Sequence, residues 1–399
     1  MTLMNKNKQI KRFMLLAVIL LETTISMAQT CDSIPFLYHG HLIVRSTIND
    51  SIDSNIVFDT GAANLFGVDS VFLINSRWKP QNTGKAITGG GAGRVKVKTI
   101  EGWTKVTIGS IVENYWIVPV FKLRDVVDCH VDGICGIRSI TDYPFEINFE
   151  HHYLKRHKEG LPNIDGYIKL PIQYKDYRIM LQAETIIQSD SIKGWYLMDT
   201  GGCGTIDFTA QAVKQFQLDS IPGKRYITDM TQFGIGEKEQ EYFVDMLSDQ
   251  IIIGGDTINK EYISYIPEGA GAFSSRPYIG VIGNGIWENY NIIIDIKNRS
   301  LYLHRFKETS VNEPTYDYGF RNRTDICRGW VVSWLTRNGD AVRAGMELGD
   351  TIVAVNGKDV RAYTWDEEDN INKTPKHTLD IISSNGIKKS LSLEARKRW

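Results

Sequence analysis

Two short turns in this sequence carry the residue types of a paired-carboxylate site. Asp59 follows the apolar run Ile56-Val57-Phe58, and Asp199 follows a second apolar run, Tyr196-Leu197-Met198. Two carboxyls about 3 Å apart cannot both ionise, so such a pair shares one proton. The protonated member donates to a carbonyl while the ionised member takes a proton from water. This chemistry is general acid–base hydrolysis without a covalent intermediate.

The residues after each Asp are those that such a turn needs. Gly61 and Gly201 permit a tight turn without a Cβ clash. Thr60 and Thr200 offer hydroxyls that can form hydrogen bonds across the seam between the two turns and hold the carboxyls coplanar. We therefore expect these four residues to support the dyad.

A matched segment follows each turn at a similar distance. An apolar pair and a glycine occur as Ile134-Cys135-Gly136 and as Val281-Ile282-Gly283. Each precedes a strand-like segment, 145–149 in the first case and 291–296 in the second. A single Asp-Thr-Gly is an ordinary turn sequence. Two of them in matched surroundings indicate a duplicated lobe.

At these residues the chain resembles the aspartic proteases of the retroviral and pepsin type. The resemblance covers residues 33–307. It implies a mainly β fold in which two tandem retropepsin-like lobes, 33–155 and 160–307, form a pseudo-dimer. It also implies Asp59 and Asp199 as the catalytic dyad, polypeptide substrates and a glycine-rich flap in the first lobe. Because both carboxyls come from one chain, we expect a monomeric catalytic unit.

Other stretches are predicted to position and cover the dyad. Alternating residues over 41–48, with a turn at 49–51, predict a hairpin that leads into Asp59. The expected flap contains Gly89, Gly90, Gly91 and Gly93, although a plain flexible loop has the same composition. The equivalent stretch of the second lobe, 232–236, has fewer glycines, so we expect one working flap. Residues 150–162 are interpreted as a solvated linker between the lobes.

A third module is predicted at 315–399, after a polar, proline-ended boundary. Residues 341–357 resemble the core of bacterial PDZ domains, in which a short helix leads to a Gly-Asp turn, a strand and an Asn-Gly turn. The resemblance implies that Tyr318, Gly319 and Phe320 form a loop whose N–H groups capture the C-terminal carboxylate of a peptide. We expect a short linker to tether this module. A structural or docking role is the alternative.

The composition limits the other partners. The 399 residues include 46 basic and 47 acidic side chains, which leaves no net charge that would favour nucleic acid. No cofactor is expected. The five Cys lack zinc-site spacing, so no metal is expected, and the odd number leaves at least one thiol outside an internal disulfide. Cys129 and Cys135 are either a disulfide pair or two thiols.

The amino terminus has the features of a secretory signal at residues 1–28. A basic start precedes an apolar core, and Ser26-Met27-Ala28 is a small-residue cleavage site. We therefore expect export to the periplasm or the extracellular space. A membrane anchor and lipid attachment at Cys31 are the less favoured alternatives.

Two alternatives compete with the aspartic protease. A catalytically inactive protease fold could bind extended peptides at the cell envelope, although a pair of acids kept without chemistry would be costly. A serine protease with a PDZ domain is disfavoured because the chain has no Gly-x-Ser-x-Gly sequence. The predicted function is therefore an aspartic endopeptidase.

Overall fold

The computed structural model describes residues 33–90, 93–136, 138–231, 234–236, 242–269, 271–307, 316–325, 328–364, 367–368, 371 and 374–397. The expected signal peptide, Gly91 of the expected flap and residues 232–233 lie outside these ranges. The chain is mainly β, which confirms the predicted class. None of the described helices is long and apolar enough to cross a membrane.

The first lobe begins with a hairpin that leads to the first acidic turn. Its two strands pair from Ile43 with Val57 to Ile48 with Ile52. Asn49 and Asp50, at the turn, have positive φ, which these residues adopt more readily than most. The elements of this lobe are β1 (Ser33–Tyr38), β2 (Leu42–Ile48), β3 (Ile52–Phe58), β4 (Phe66–Asp69), α1 (Ser70–Asn75), β5 (Asn82–Gly90), β6 (Gly93–Ile108), β7 (Ile111–Phe121), β8 (Gly133–Cys135), β9 (Phe145–Asn148) and β10 (Tyr153–Arg156).

The second lobe repeats this order of parts. A hairpin leads to the second acidic turn, and a short strand and a helix follow it, as they do in the first lobe. The elements are β11 (Ile168–Lys175), β12 (Arg178–Ile187), β13 (Asp190–Met198), β14 (Ile206–Phe208), α2 (Ala210–Phe216), β15 (Arg225–Met230), β16 (Tyr242–Leu247), β17 (Gln250–Ile253), β18 (Asp256–Asn259), β19 (Tyr262–Tyr265), β20 (Gly280–Ile282), α3 (Asn284–Trp287), β21 (Tyr290–Asp295) and β22 (Ser300–Arg305).

The two lobes share one antiparallel sheet and one core. The sheet has the strand order β1-β10-β9-β21-β22-β11, with three strands from each lobe. The interpretation of residues 150–162 as a solvated linker is wrong in part, because 153–156 form β10 of this sheet. Phe58, just before the first acidic turn, stacks on Phe145 of β9 at 5.3 Å between ring centroids. The shared sheet therefore joins the lobes beneath the two turns.

The third unit, residues 316–397, has its own apolar core, which includes Trp330, Val332 and Ile352. A groove of about 200 Å³ lies along β24 and is lined by Phe320, Asn322 and other residues. The elements are β23 (Tyr316–Asp317), β24 (Phe320–Asp325), β25 (Gly329–Thr336), α4 (Asp340–Arg343), β26 (Thr351–Val355), β27 (Lys358–Asp359), β28 (Lys376–Ile382), β29 (Lys388–Glu394) and β30 (Arg396–Lys397).

The third unit packs directly on the second lobe, contrary to the expectation of a tethered module. β25 continues the sheet of β15, with Thr228 opposite Thr336 and Met230 opposite Trp334. Arg337 forms a two-pronged ion pair with Asp229, with N–O distances of 2.8 to 3.1 Å. Backbone pairing of this kind fixes the position of the unit, whereas a flexible linker would not.

Candidate active site

Both acidic turns are held by the same local hydrogen bonds. Asp59 precedes a single 3₁₀ turn, and its Oδ1 accepts hydrogen bonds from the N–H groups of Gly61 at 2.7 Å and Ala62 at 3.1 Å. In the second turn, Oδ1 of Asp199 accepts from the N–H of Gly201 at 2.8 Å. Each carboxyl is therefore fixed by its own turn, at the end of a buried strand.

The two apolar-Gly segments pass beneath these turns. β8 pairs in parallel with β3, and β20 pairs in parallel with β13. The N–H of Asp59 donates to the carbonyl of Cys135 at 2.9 Å, and that of Asp199 donates to the carbonyl of Ile282 at 3.0 Å. A Cβ on Gly136 would lie 2.0 Å from the carbonyl oxygen of Ala63. Only glycine leaves room for this crossing of two backbones.

The two threonines form a reciprocal set of four hydrogen bonds between the lobes. The N–H of Thr60 donates to the hydroxyl of Thr200 at 3.0 Å, and the N–H of Thr200 donates to the hydroxyl of Thr60 at the same distance. Each hydroxyl then donates to the carbonyl before the other Asp, that of Met198 or Phe58, at 2.8 and 2.9 Å. The turns are thus locked face to face.

Gly61 and Gly201 are required for a reason that the sequence did not predict. Neither has positive φ, so turn geometry alone does not require glycine. A Cβ on Gly61 would lie 2.6 Å from the carboxyl of Asp199, and one on Gly201 would lie 2.3 Å from the carboxyl of Asp59. Each glycine makes room for the carboxyl of the opposite lobe.

The two carboxyls form one titrating unit. Burial raises the pKa of Asp59 well above its ordinary value, and the charge of Asp199 raises it further. Burial also raises the pKa of Asp199, against the hydrogen bonds that Asp199 receives from Asp59 and from the turn. Because the two side chains share a hydrogen bond and cannot both carry a charge at this distance, the pair holds one proton.

The dyad opens into a cavity of about 1240 Å³ between the lobes. The first lobe contributes Leu65, Phe121 and Ile134 to its wall, and the second contributes Phe243 and Val281. This volume exceeds that of most small-molecule sites, and a wall that combines apolar and charged side chains suits an extended chain.

The predicted flap is a β-hairpin over this cavity. Gly89 and Gly90 end β5, and Gly93 begins β6, with Gly90 opposite Gly93. Gly90 and Gly93 line the cavity. A Cβ on Gly90 would lie 2.4 Å from the carbonyl oxygen of Ile235, in the stretch between β15 and β16. Segments of both lobes therefore meet above the cavity, where we expected a flap from the first lobe alone.

Two residues next to the dyad were missed by the sequence analysis. Asn284 donates through Nδ2 to the carbonyls of Gly40 and Thr200, both at 2.8 Å, and so joins the β1–β2 turn to the second acidic turn. His41, from the same β1–β2 turn, lines the cavity. Burial lowers the pKa of His41 to about 4, so its ring is neutral near pH 7. The available signal for Asn284 was its position directly after Val281-Ile282-Gly283.

The third unit also contributes to the cavity, through Arg321 of β24 and Trp334 of β25. The guanidinium of Arg321 lies 5.0 Å from the centroid of the Trp334 ring, and that ring packs edge-on against Phe243 at 5.0 Å. Arg321 lines the groove along β24 as well. The sequence analysis missed both residues because it treated this unit as separate.

The predicted carboxylate loop is partly occupied by the chain itself. The N–H of Gly319 donates to Oδ1 of Asp317 at 2.7 Å. Tyr318 is buried, and its hydroxyl donates to the carbonyl of Thr374. Phe320 lines the groove. The loop therefore offers an incoming carboxylate fewer N–H groups than expected, whereas β24 borders a groove that both apolar and polar side chains line.

One group of potential metal ligands occurs among the described residues, namely Asp128, Cys129 and His130. Oδ1 of Asp128 already binds Nδ1 of His130 at 2.9 Å and accepts the backbone N–H of His130 at 2.7 Å. Asp128 and His130 are therefore hydrogen-bonded to each other within one turn. Cys129 and Cys135 are both free thiols.

Comparisons with known proteins give a structural similarity but no match at the level of sequence families. No family model matches this sequence, and the search of curated proteins finds no match. Among solved structures, the chain is similar to the crystal structure of an aspartic proteinase from Irpex lacteus, with 13% sequence identity and a TM-score of 0.45. The similarity covers 70% of this chain and 98% of that one.

Proposed function

We propose that this protein is an aspartic endopeptidase with Asp59 and Asp199 as its catalytic dyad. The observation that carries the proposal is the reciprocal arrangement of the two turns. Each turn supplies a carboxyl, a threonine bonded across the seam and a glycine that makes room for the other carboxyl. A purely structural pair of buried acids would be costly, because burial penalises their charge.

The proposed reaction uses the single proton of the pair. A water between the carboxyls loses a proton to the ionised member as it attacks the scissile carbonyl, and the protonated member donates to the carbonyl oxygen. The diol then collapses as the C–N bond breaks: the protonated carboxyl gives its proton to the leaving amine, and the ionised carboxyl takes a proton from a diol hydroxyl, so the pair again holds one proton. The threonine network keeps both carboxyls in place, so little reorganisation accompanies the transfer.

The test is incubation with a mixed peptide library, followed by mass spectrometry of the products. We expect new termini with the wild type and none with Asp59→Asn. Asp53→Asn is the matched control, because Asp53 is an exposed carboxylate of the same strand, β3. Peptide binding without hydrolysis by the wild type would favour the alternative, an inactive peptide-binding protein of the cell envelope.

We also propose that the third unit is a PDZ-like module that binds the C-terminal segment of a substrate or partner. The support is the groove beside β24, which apolar and polar side chains line together, and the closeness of this groove to the cavity at Arg321. Peptides with a free or an amidated C-terminus test the carboxylate contact. Equal affinity for both peptides would reject carboxylate capture at Tyr318, Gly319 and Phe320. The remaining binding mode would then be addition of the peptide as a strand beside β24.

The remaining proposals concern location and assembly. We propose that residues 1–28 direct export to the periplasm or the extracellular space, supported by their basic start, apolar core and small-residue end. Fractionation of cells that express the full chain and its 29–399 truncation tests this. We propose a monomeric catalytic unit, since one chain supplies both carboxyls.

A further inference from the structure

A row of polar side chains crosses the second lobe beside the dyad. Asp207 of β14 lies opposite Ser264 of β19, and Asp245 of β16 lies opposite Ser264 from the other side. Directly opposite residues point to the same face of a sheet. All three line the cavity that contains Asp59 and Asp199. The row therefore faces the space that substrate would occupy.

The two carboxylates of this row have different partners. Asp245 is only 4% exposed, and the hydroxyl of Ser264 donates to its Oδ1. The side chain of Asp207 is partly buried and forms no hydrogen bond or ion pair within the described parts of the chain. A desolvated carboxylate next to a second one is unfavourable without a cation. A positive charge placed in the cavity would therefore stabilise the ionised form of Asp207.

No arginine or lysine in the part of the chain that the structure describes forms an ion pair with Asp207. The charge of Arg321, from the third unit, favours the ionised form of Asp207 at longer range, but Arg321 stacks on Trp334 and forms no ion pair with Asp207. The other arginines of the cavity wall, Arg94, Arg178 and Arg276, form none with Asp207 either. Asp207 thus remains available to a ligand.

The first lobe has no counterpart of this carboxylate. The position equivalent to Asp207, counted from each catalytic Asp, is Gly67. A Cβ on Gly67 would lie 2.4 Å from the ring of Phe121, which itself lines the cavity. One side of the cavity is therefore apolar where the other is acidic, and this asymmetry would set the direction of a bound chain.

We propose that Asp207, supported by Asp245 and Ser264, forms a subsite for a lysine or arginine side chain of the substrate. This inference rests on the proposed peptidase function. A long cationic side chain can reach a recessed carboxylate and form charge-assisted hydrogen bonds there. The subsite selects substrate and takes no part in the proton transfers.

The experiment compares peptides that differ at one position, scanned around the scissile bond, with Lys, Arg, norleucine or Glu. At one position we expect the wild type to favour Lys or Arg over norleucine by roughly 10- to 100-fold in kcat/KM. Asp207→Asn should reduce this ratio to near one while it still cleaves the norleucine peptide. Asp207→Lys should favour Glu. Asp190→Asn, an exposed carboxylate at the far end of β13, should behave as wild type.

Three outcomes would overturn the subsite. One is cleavage by the wild type without a cationic preference, which leaves the peptidase function intact. Another is an equal loss on all peptides in Asp207→Asn, which assigns Asp207 to folding or to the dyad. The third applies if the wild type cleaves nothing, in which case the peptidase proposal fails separately. Calorimetry on Asp59→Asn then tests the subsite, and equal affinity for the Lys and norleucine peptides rejects it.

Discussion

At the residue scale, the site requires glycine at two positions as much as it requires particular side chains at others. Gly61 and Gly201 each lie against the carboxyl of the other lobe, and Thr60 and Thr200 each close a bond to the other turn. Any atom added at these glycines pushes on a reacting group. Replacement of a residue with no catalytic atom should therefore remove activity.

The first prediction compares two adjacent glycines. Gly201→Ala places a methyl group 2.3 Å from the carboxyl of Asp59, so we expect a loss of about 100-fold or more in kcat. Gly202→Ala is the matched control, because its Cβ would be 3.9 Å from the nearest atoms. The first turn already has Ala62 at the position equivalent to Gly202. Similar activity of the two variants in a peptide assay would contradict this account.

The second prediction concerns stability and pH at Asp207. Burial, followed by the charges of Asp245 and Asp199, raises the pKa of Asp207 from 3.8 to about 7. Between these two pH values the unfolded chain has lost the proton that the folded chain retains, so Asp207 lowers the free energy of unfolding progressively as pH rises. Asp207→Asn should remove this loss.

Urea unfolding at several pH values measures the effect. Asp207→Asn should be more stable than the wild type at pH 7, by about 1 kcal/mol or more, and the difference should shrink toward pH 4. A difference that is independent of pH would show that the amide changes packing and that the pKa of Asp207 is not raised.

At the element scale, the strands that present the site were predictable and their long-range pairing was not. The alternating residues of 41–48 and the apolar runs before each Asp indicate strands directly, because the pattern is local. The pairings of β9 with β21 and of β15 with β25 join segments far apart in sequence, and no local pattern reports them. The dyad was predictable because its motif is local. Arg321 and Trp334 were missed because only the long-range pairing of β15 with β25 brings them to the cavity.

The third prediction tests the contribution of β25 to the cavity. Trp334→Ala removes the ring between Arg321 and Phe243, so we expect a lower kcat/KM on short peptides and a destabilisation of about 2–4 kcal/mol. Trp103→Ala is the control, since Trp103 is 70% exposed on β6. Unchanged kinetics in Trp334→Ala, measured at a temperature where both variants are folded, would show that the third unit only docks beside the cavity.

At the scale of the whole molecule, one chain supplies both halves of a pseudo-symmetric site. The six-stranded sheet and the threonine network join the two lobes, so no second chain is needed to assemble the dyad. The third unit breaks the symmetry, because it pairs with the second lobe and adds Arg321 to one side of the cavity. The dyad is thus shared symmetrically by the two lobes, whereas the wall of the cavity is asymmetric.

The fourth prediction follows from this single-chain assembly. Specific activity should remain constant when the enzyme is diluted from micromolar to nanomolar concentration, with carrier protein present to prevent adsorption. Analytical ultracentrifugation at the upper concentration identifies the species. A fall in specific activity that follows dissociation of a dimer would show that the site needs two chains.

The most direct test of the central claim is the kcat of Asp59→Asn and Asp199→Asn on one peptide that the wild type cleaves. Each variant keeps the shape of the side chain but removes one member of the acid–base pair, so we predict a loss of about 100-fold or more in both. Circular dichroism and thermal unfolding should show that both variants are folded. Substantial activity in either folded variant would contradict the account, since the reaction would then need only one of the two carboxyls.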